Sequence, residues 1–198
     1  MKKNLSTITL VFALLMSGSV IAQEKAETAQ TQSESSENAA WEKYMALGEM
    51  HATLAKANGD WKVEMSFWME PGGDPTKSTA KCTNKMILGG RFQESIVTGT
   101  VMGMPFEGKG LVGYDNIKKV FMSTWIDNMG TGMMHSEGPY EPKTKSMTLT
   151  GKMMDPMSGK EMDFREVFTM HSDAHHQLEM FLTHEGKEFK SMEINYRK

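Results

Sequence analysis

The chain has 198 residues, of which 22 are basic and 25 acidic, giving a net charge of −3, and it contains a single cysteine. This slightly acidic balance, without a basic stretch, argues against nucleic acid and anionic lipid as partners recognised by charge. One cysteine excludes an intramolecular disulfide, so a folded domain of this length depends on its apolar core.

Residues 1–22 have the pattern of a cleaved export signal. Lys2 and Lys3 precede an apolar run over 7–16, and Ala22 is a small residue suited to cleavage before Gln23. The run is about ten residues long, too short to span a bilayer, and an uncleaved anchor is the alternative. Cleavage removes two lysines and no acid, leaving 20 basic against 25 acidic residues and a net charge of −5. We therefore expect an exported protein, periplasmic or extracellular, with no membrane span.

Residues 23–40 are predicted to be a flexible linker. They contain no aromatic and no large aliphatic side chain that could offset the entropy lost on ordering. A helix is predicted over 41–57, where apolar residues from Trp41 to Leu54 recur at three- and four-residue spacing and Asn58-Gly59 provides a stop signal. Its modest apolar stripe is expected to pack on the outside of the following domain or across one end of it.

The rest of the chain, 61–197, alternates short strand patterns with turn signals. From Trp61 to Phe67, every second side chain is apolar, which is typical of a half-buried strand. Candidate strands are 61–69, 77–88, 91–102, 106–114, 117–127, 133–140, 146–154, 161–171, 176–184 and 187–197. Short connections and the absence of intervening helices predict an all-β fold, in which 41–198 is a single antiparallel up-and-down β-barrel of about ten strands with one N-terminal helix.

One predicted strand, 161–171, places a carboxylate among apolar side chains. Glu166 shares a face with Phe164 and Phe168. Two interpretations stay open: a buried acid satisfied by a cation or by backbone groups, or a polar anchor with a raised pKa in a ligand cavity. For a ligand cavity, the candidate lining residues are Met65, Phe67, Phe92, Phe164, Glu166 and Met180.

Soft or imidazole ligands for a metal are the second possibility. The chain has 21 methionines, and Met133-Met134-His135 and Met153-Met154 are local clusters that could attract Cu(I). Adjacent strand residues point to opposite faces, however, so we favour methionine as a core filler and expect no cofactor. His171, His175 and His176 are interpreted as part of a solvated turn, and Cys82 as a small buried side chain.

Residues 41–198 contain a series of ordered landmarks: His51-Ala-Thr-Leu54, Gly59-Asp-Trp61, Gly113-Tyr114-Asp115, Trp125, Glu137-Gly138-Pro139-Tyr140, Asp155 to Lys160, Arg165-Glu166-Val167, Glu179-Met180-Phe181, Gly186 to Lys190, and Met192 to Lys198. This series resembles that of DUF1579, a family of exported bacterial proteins of unknown function. The resemblance supplies no activity. At the level of fold, Gly59-Asp-Trp61 is also similar to the motif that opens lipocalin and calycin barrels. That similarity implies a closed end built from Gly59 and Trp61, with Arg197 covering the tryptophan.

These observations favour a non-enzymatic barrel that binds a small apolar or amphipathic molecule in its interior. The alternatives are an enzyme or copper-binding protein that uses interior Glu, His and Met residues, and a filled structural barrel without a ligand. Each alternative makes a different demand on the interior, since a ligand needs a cavity, catalysis needs convergent titratable groups, and a filled core needs neither.

Overall fold

The structure is a computed structural model that describes residues 36–184 and 186–198. The predicted export signal 1–22 lies outside the described residues, as does most of the predicted linker 23–40. In the described part of the chain, no helix has both the length and the apolar character required to cross a membrane.

The N-terminal part is helical in two pieces rather than over 41–57 as predicted. Residues 36–45 form helix α1, so the end of the predicted linker is helical, consistent with the helix formers Glu37, Ala39 and Ala40. The second helix, α2, is Glu49–Ala55. Gly48 interrupts the two, because it takes an extended conformation as the N-cap of α2 and donates its N–H to Nδ1 of His51 at 3.1 Å.

The rest of the chain is an antiparallel β-barrel, as predicted. The strands are β1 (Gly59–Phe67), β2 (Thr76–Ile87), β3 (Phe92–Val101), β4 (Met104–Asp115), β5 (Val120–Asp127), β6 (Met134–Gly138), β7 (Tyr140–Glu141), β8 (Ser146–Asp155), β9 (Lys160–Ser172), β10 (His175–His184) and β11 (Lys187–Arg197). The sheet order is β6-β5-β4-β3-β2-β1-β11-β10-β9-β8-β7, and β6 also pairs with β8. That pairing closes ten strands in an up-and-down order, with β7 as a short additional strand on β8.

The β6–β8 seam that closes the barrel contains three residue pairs: His135 with Lys152, Ser136 with Gly151, and Glu137 with Thr150. Two glycines permit this close approach. A Cβ on Gly138 would overlap the carbonyl oxygen of Thr148, and one on Gly151 would overlap the carbonyl oxygen of His135. Closure therefore depends on the absence of side chains at two points of the seam.

The inward face of each strand is set by the period of two. On β1, Trp61, Val63 and Met65 are buried while Lys62 and Glu64 are exposed. One buried cluster contains these three residues with Ala80, Cys82, Val97 and Val101, and a second contains Leu54, Phe121, Met147, Leu149 and Met170. On β5, where large apolar residues occur on both faces of the strand, Phe121 is fully buried and its neighbours Val120 and Met122 are only half-buried. Phe121 therefore marks the inner face.

Helix α2 lies across the end of the barrel where β1 begins. Carbonyls at its C-terminal end and in the turn that follows accept hydrogen bonds from inward-facing side chains. Nε2 of Gln93 donates to the Leu54 oxygen at 2.6 Å, and Nε1 of Trp61 and Nδ2 of Asn84 donate to the Ala57 oxygen at 2.9 and 3.0 Å. The free carbonyls at a helix C-terminus are thus paired inside the barrel. We call this the closed end, and the opposite end, where β1 ends at Phe67, the open end.

Candidate functional site

The barrel encloses a cavity of about 420 Å³. Leu54 and Ala57 of the α2 segment border it at the closed end, and Met102 and Met129 border it at the open end. These two methionines are 44% exposed, so the cavity reaches solvent on that side. Of the predicted lining residues, Met65, Phe67, Glu166 and Met180 border the cavity.

Two carboxylates border the cavity: Asp127, which accepts a hydrogen bond from Nε1 of Trp125 at 2.8 Å, and the more central Glu166. Glu166 lies on β9 between Leu149 of β8 and Met180 of β10, and its Oε2 accepts a hydrogen bond from Oγ of Ser136 at 3.2 Å. Burial raises the pKa of the Glu166 carboxyl, and the Ser136 hydrogen bond only partly offsets this effect. The environment therefore favours the protonated form, which can both donate and accept a hydrogen bond.

Tyr196 and Cys82 place two further polar groups on the cavity wall. Tyr196 lies opposite Val63 of β1 and His176 of β10. Burial raises the pKa of its hydroxyl, and the nearby Cys82 and Glu166 add to the rise. The thiol of Cys82 donates to Oδ1 of Asn84 at 3.1 Å. Both groups are therefore held in their neutral, protonated forms.

The closed end is built around Trp61. Its ring packs against that of His176, with centroids 4.4 Å apart and planes tilted by 37°. Nζ of Lys198 lies over the Trp61 ring, 4.5 Å from its centroid, in a cation–π contact. Gly59 has φ +110°, and a Cβ there would lie 3.7 Å from Cε of Lys198. The positive φ is therefore what favours glycine at the start of β1, since a Cβ there would make only ordinary van der Waals contact with the lysine.

Comparison with known proteins gives a family but no activity. A family model described as "Protein of unknown function (DUF1579)" matches residues 46–198, which is α2 and the whole barrel. The chain belongs to the DUF1579 family. No curated protein sequence matches it. Among solved structures it is similar to a redesigned β-barrel with 14% identity, over 74% of this chain and 94% of that chain, at a TM-score of 0.38.

Arg197 does not cover Trp61 in this DUF1579 barrel. It lies opposite Lys62 of β1, whose side chain is exposed, and Arg197 is itself exposed on the outer face. The prediction was wrong by one residue. Side chains alternate between the two faces, so Tyr196 and Lys198 lie on the inner face and Arg197 lies on the outer face. The basic residue over the tryptophan is Lys198.

Two predicted lining residues lie elsewhere. Phe92 precedes the inward-facing, buried Gln93, so it belongs to the outer face, where its ring lies against Gly113 of β4. Phe164 is buried, as its parity with Glu166 requires, but its ring packs against Gly151 at the β6–β8 seam rather than against the cavity. The candidate site is therefore reduced to Met65, Phe67, Glu166 and Met180 among the predicted residues.

The histidines do not form the predicted solvated turn. His171 and His175 stack on the outer face with ring centroids 4.7 Å apart, whereas His176 is only 2% exposed and faces the cavity. The sequence did contain a signal for this position, because His176 lies two and four residues before Leu178 and Met180 and so shares their face of the strand. The adjacent polar residues concealed it. Within the described residues, no three or more His, Cys, Asp or Glu side chains come close enough to hold a metal ion.

Ser123 and Ser136 are polar residues that sequence analysis missed. Both border the cavity region, Ser123 directly and Ser136 through its bond to Glu166, and they lie opposite each other on β5 and β6. A serine within a strand gives no pattern that distinguishes an inward from an outward position, so only the register identifies them.

The thiol of Cys82 is expected to be nearly unreactive in the folded protein. Burial raises the pKa of the thiol from 9.0 to about 12, with Asp60 adding to the rise, and the side chain is 2% exposed. Because only the thiolate reacts, modification by a disulfide reagent at pH 8 should be slowed about 1000-fold or more relative to the unfolded chain. Labelling with and without urea tests this; a native rate within tenfold of the unfolded rate contradicts it.

Proposed function

We propose that the protein is a non-enzymatic binding protein that holds a small, mostly apolar molecule inside its barrel. The observation that carries the proposal is the cavity of about 420 Å³ with a carboxyl on its wall. Its volume falls within the range of about 300–1,000 Å³ typical of small-molecule sites. Most of its lining is aliphatic, aromatic or thioether, which suits an apolar body.

The polar groups indicate what the ligand carries besides its apolar body. Burial raises the pKa of both the Glu166 carboxyl and the Tyr196 hydroxyl, so the apolar setting favours the neutral, hydrogen-bonding form of each group. A ligand hydroxyl, carbonyl or un-ionised acid would pair with them, whereas a permanently charged anion would meet no Lys or Arg side chain among the described residues that line the cavity. We therefore infer a neutral, amphipathic ligand anchored at the Ser136–Glu166 pair.

We also propose that the protein acts outside the cytoplasm. The support is the sequence of residues 1–22, with its short basic start, its apolar run and the small residue before Gln23. An exported carrier of apolar molecules would keep them from aqueous surroundings. The mass measurement described next also reports whether the mature chain starts at Gln23.

Native mass spectrometry of the full-length gene product, purified from the producing cell without added metal, is expected to show an adduct of small-molecule mass that is lost on denaturation. Replacing Ser123 with phenylalanine should abolish the adduct. Ser123 borders the cavity opposite Ser136, so the added ring fills the space beside Glu166 without removing a core side chain.

Thr98→Phe is the matched control. Thr98 is exposed on the outer face of β3, so a phenylalanine there leaves the cavity unchanged. It should retain the adduct at the wild-type level. Retention of the adduct by Ser123→Phe would place the ligand outside the barrel, and a bare mass for the wild-type protein would contradict the proposal.

A further inference from the structure

Methionines are concentrated at the open end of the barrel. Two segments hold seven of them: Met129, Met133 and Met134 on the β5–β6 connection and the start of β6, and Met153, Met154, Met157 and Met162 on the β8–β9 hairpin. The two segments are neighbours, because β6 pairs with β8 at the seam. This group of seven is the methionine mouth.

Core filling does not account for the methionine mouth. Met129, Met133, Met154 and Met157 are 44%, 55%, 57% and 93% exposed. Within the described chain, the exposed large apolar side chains in the turns of the open end are all methionine, whereas exposed leucine and isoleucine occur elsewhere, as at Leu88 and Ile117. Leucine would provide apolar surface equally well. The feature that distinguishes these methionines from leucine is the thioether sulfur.

The register brings three of these methionines together on one face. Met153 of β8 lies directly opposite Met162 of β9. The β6–β8 register pairs His135 with Lys152, so one further residue places Met134 beside Met153, and both side chains border the cavity. Met162 has the inward parity of the buried Phe164 and is half-buried. Adjacent residues of one strand point to opposite faces, but these three methionines lie on three neighbouring strands and share one face.

The spacing suits a small soft cation. Adjacent strands lie about 4.8 Å apart, so the outer two methionines are about 10 Å apart at the backbone, with Met153 between them. Methionine has three rotatable side-chain bonds, so thioethers from the two outer strands can converge over the middle one. Thioethers select Cu(I) over hard divalent ions such as Mg²⁺ or Ca²⁺.

We propose that Met134, Met153 and Met162 form a three-thioether site for Cu(I) at the mouth of the barrel. The site does not depend on the proposed organic ligand, and it can be measured with none added.

The test is a competition titration of the full chain with Cu(I) held by a colorimetric chelator, without oxygen and in a Cys82→Ala background, so that the thiol cannot contribute. We expect one Cu(I) per chain. The triple variant Met134→Leu, Met153→Leu, Met162→Leu should bind at least tenfold more weakly, because leucine keeps the volume and removes the sulfur. X-ray absorption of the bound copper should show sulfur neighbours.

The control is Met45→Leu, Met69→Leu, Met104→Leu, which removes three exposed methionines that lie outside the methionine mouth and do not border the cavity, and it should bind as the parent does. The single variant Met153→Leu, which removes the central thioether, covers the case in which the triple variant fails to fold. No uptake of Cu(I), unchanged binding by the folded triple or single variant, equal loss in the control, or a copper shell of nitrogen and oxygen would each overturn the proposal.

Discussion

Replacing Gly138 with alanine is expected to destabilise the barrel by about 3 kcal/mol, the upper end of the usual cost of overpacking. An added Cβ would overlap the Thr148 carbonyl oxygen and lie 2.9 Å from its carbonyl carbon and 3.1 Å from Cα of Leu149. These are backbone atoms of β8, which cannot rotate away as a side chain could. The β6–β8 pairing must therefore move apart at the seam that closes the barrel.

Urea denaturation followed by circular dichroism measures the change in the free energy of unfolding. Gly132→Ala is the matched control, since nothing lies within 4 Å of a Cβ at that glycine in the β5–β6 connection. The control should remain within about 0.5 kcal/mol of the wild type, as surface substitutions usually do. If Gly138→Ala unfolds at the wild-type urea concentration, the seam is not as close as the structure describes.

Acidification from pH 6.5 to pH 4 is expected to cost the wild-type protein about 3 kcal/mol of stability through His176. Burial, and to a lesser extent the nearby Lys198 charge, lower the pKa of this imidazole from 6.5 to about 4. Between those pH values His176 is protonated in the unfolded chain and mostly neutral in the folded chain. Each pH unit contributes about 1.4 kcal/mol. The stability is complete above pH 6.5 and is lost as the pH falls toward 4.

The pair His176→Phe and His176→Gln isolates this effect. Phenylalanine keeps a ring against Trp61, and glutamine keeps a donor for the hydrogen bond with the Ser172 backbone. Neither titrates, so in both variants the free energy of unfolding should fall by about 3 kcal/mol less than in the wild type over this pH range. Parallel curves for all three proteins would show that His176 takes up its proton without unfolding the barrel.

Much of the fold could be predicted because the strands carry their own signal. The alternation of Trp61, Val63 and Met65 with charged residues identifies a strand and its inner face without any tertiary information. The same parity places Glu166 inside with Phe164 and Phe168. The carboxyl at the centre of the candidate site was therefore visible in the sequence, although its partner Ser136 was not.

The errors arose where parity was ambiguous or a single residue decided the face. Phe92 was predicted to line the cavity, but its neighbour Gln93 is the residue that faces inward. Arg197 was predicted to cover Trp61, but its neighbour Lys198 does so. At a strand end, one residue of uncertainty exchanges inside for outside. His176 was missed for a different reason: it follows several polar residues, which suggested a turn and concealed its place on the inner face.

The sequence by itself determined the all-β class, the approximate strands and the inner face wherever only one face is apolar. These properties depend on residues close in the chain, whose side chains alternate with a fixed period. The tertiary structure decided the inner face of β5, the β6–β8 closure at Gly138 and Gly151, and the alignment of Met134, Met153 and Met162 across three strands. Each of these depends on the register between strands, which the local pattern of one strand does not contain.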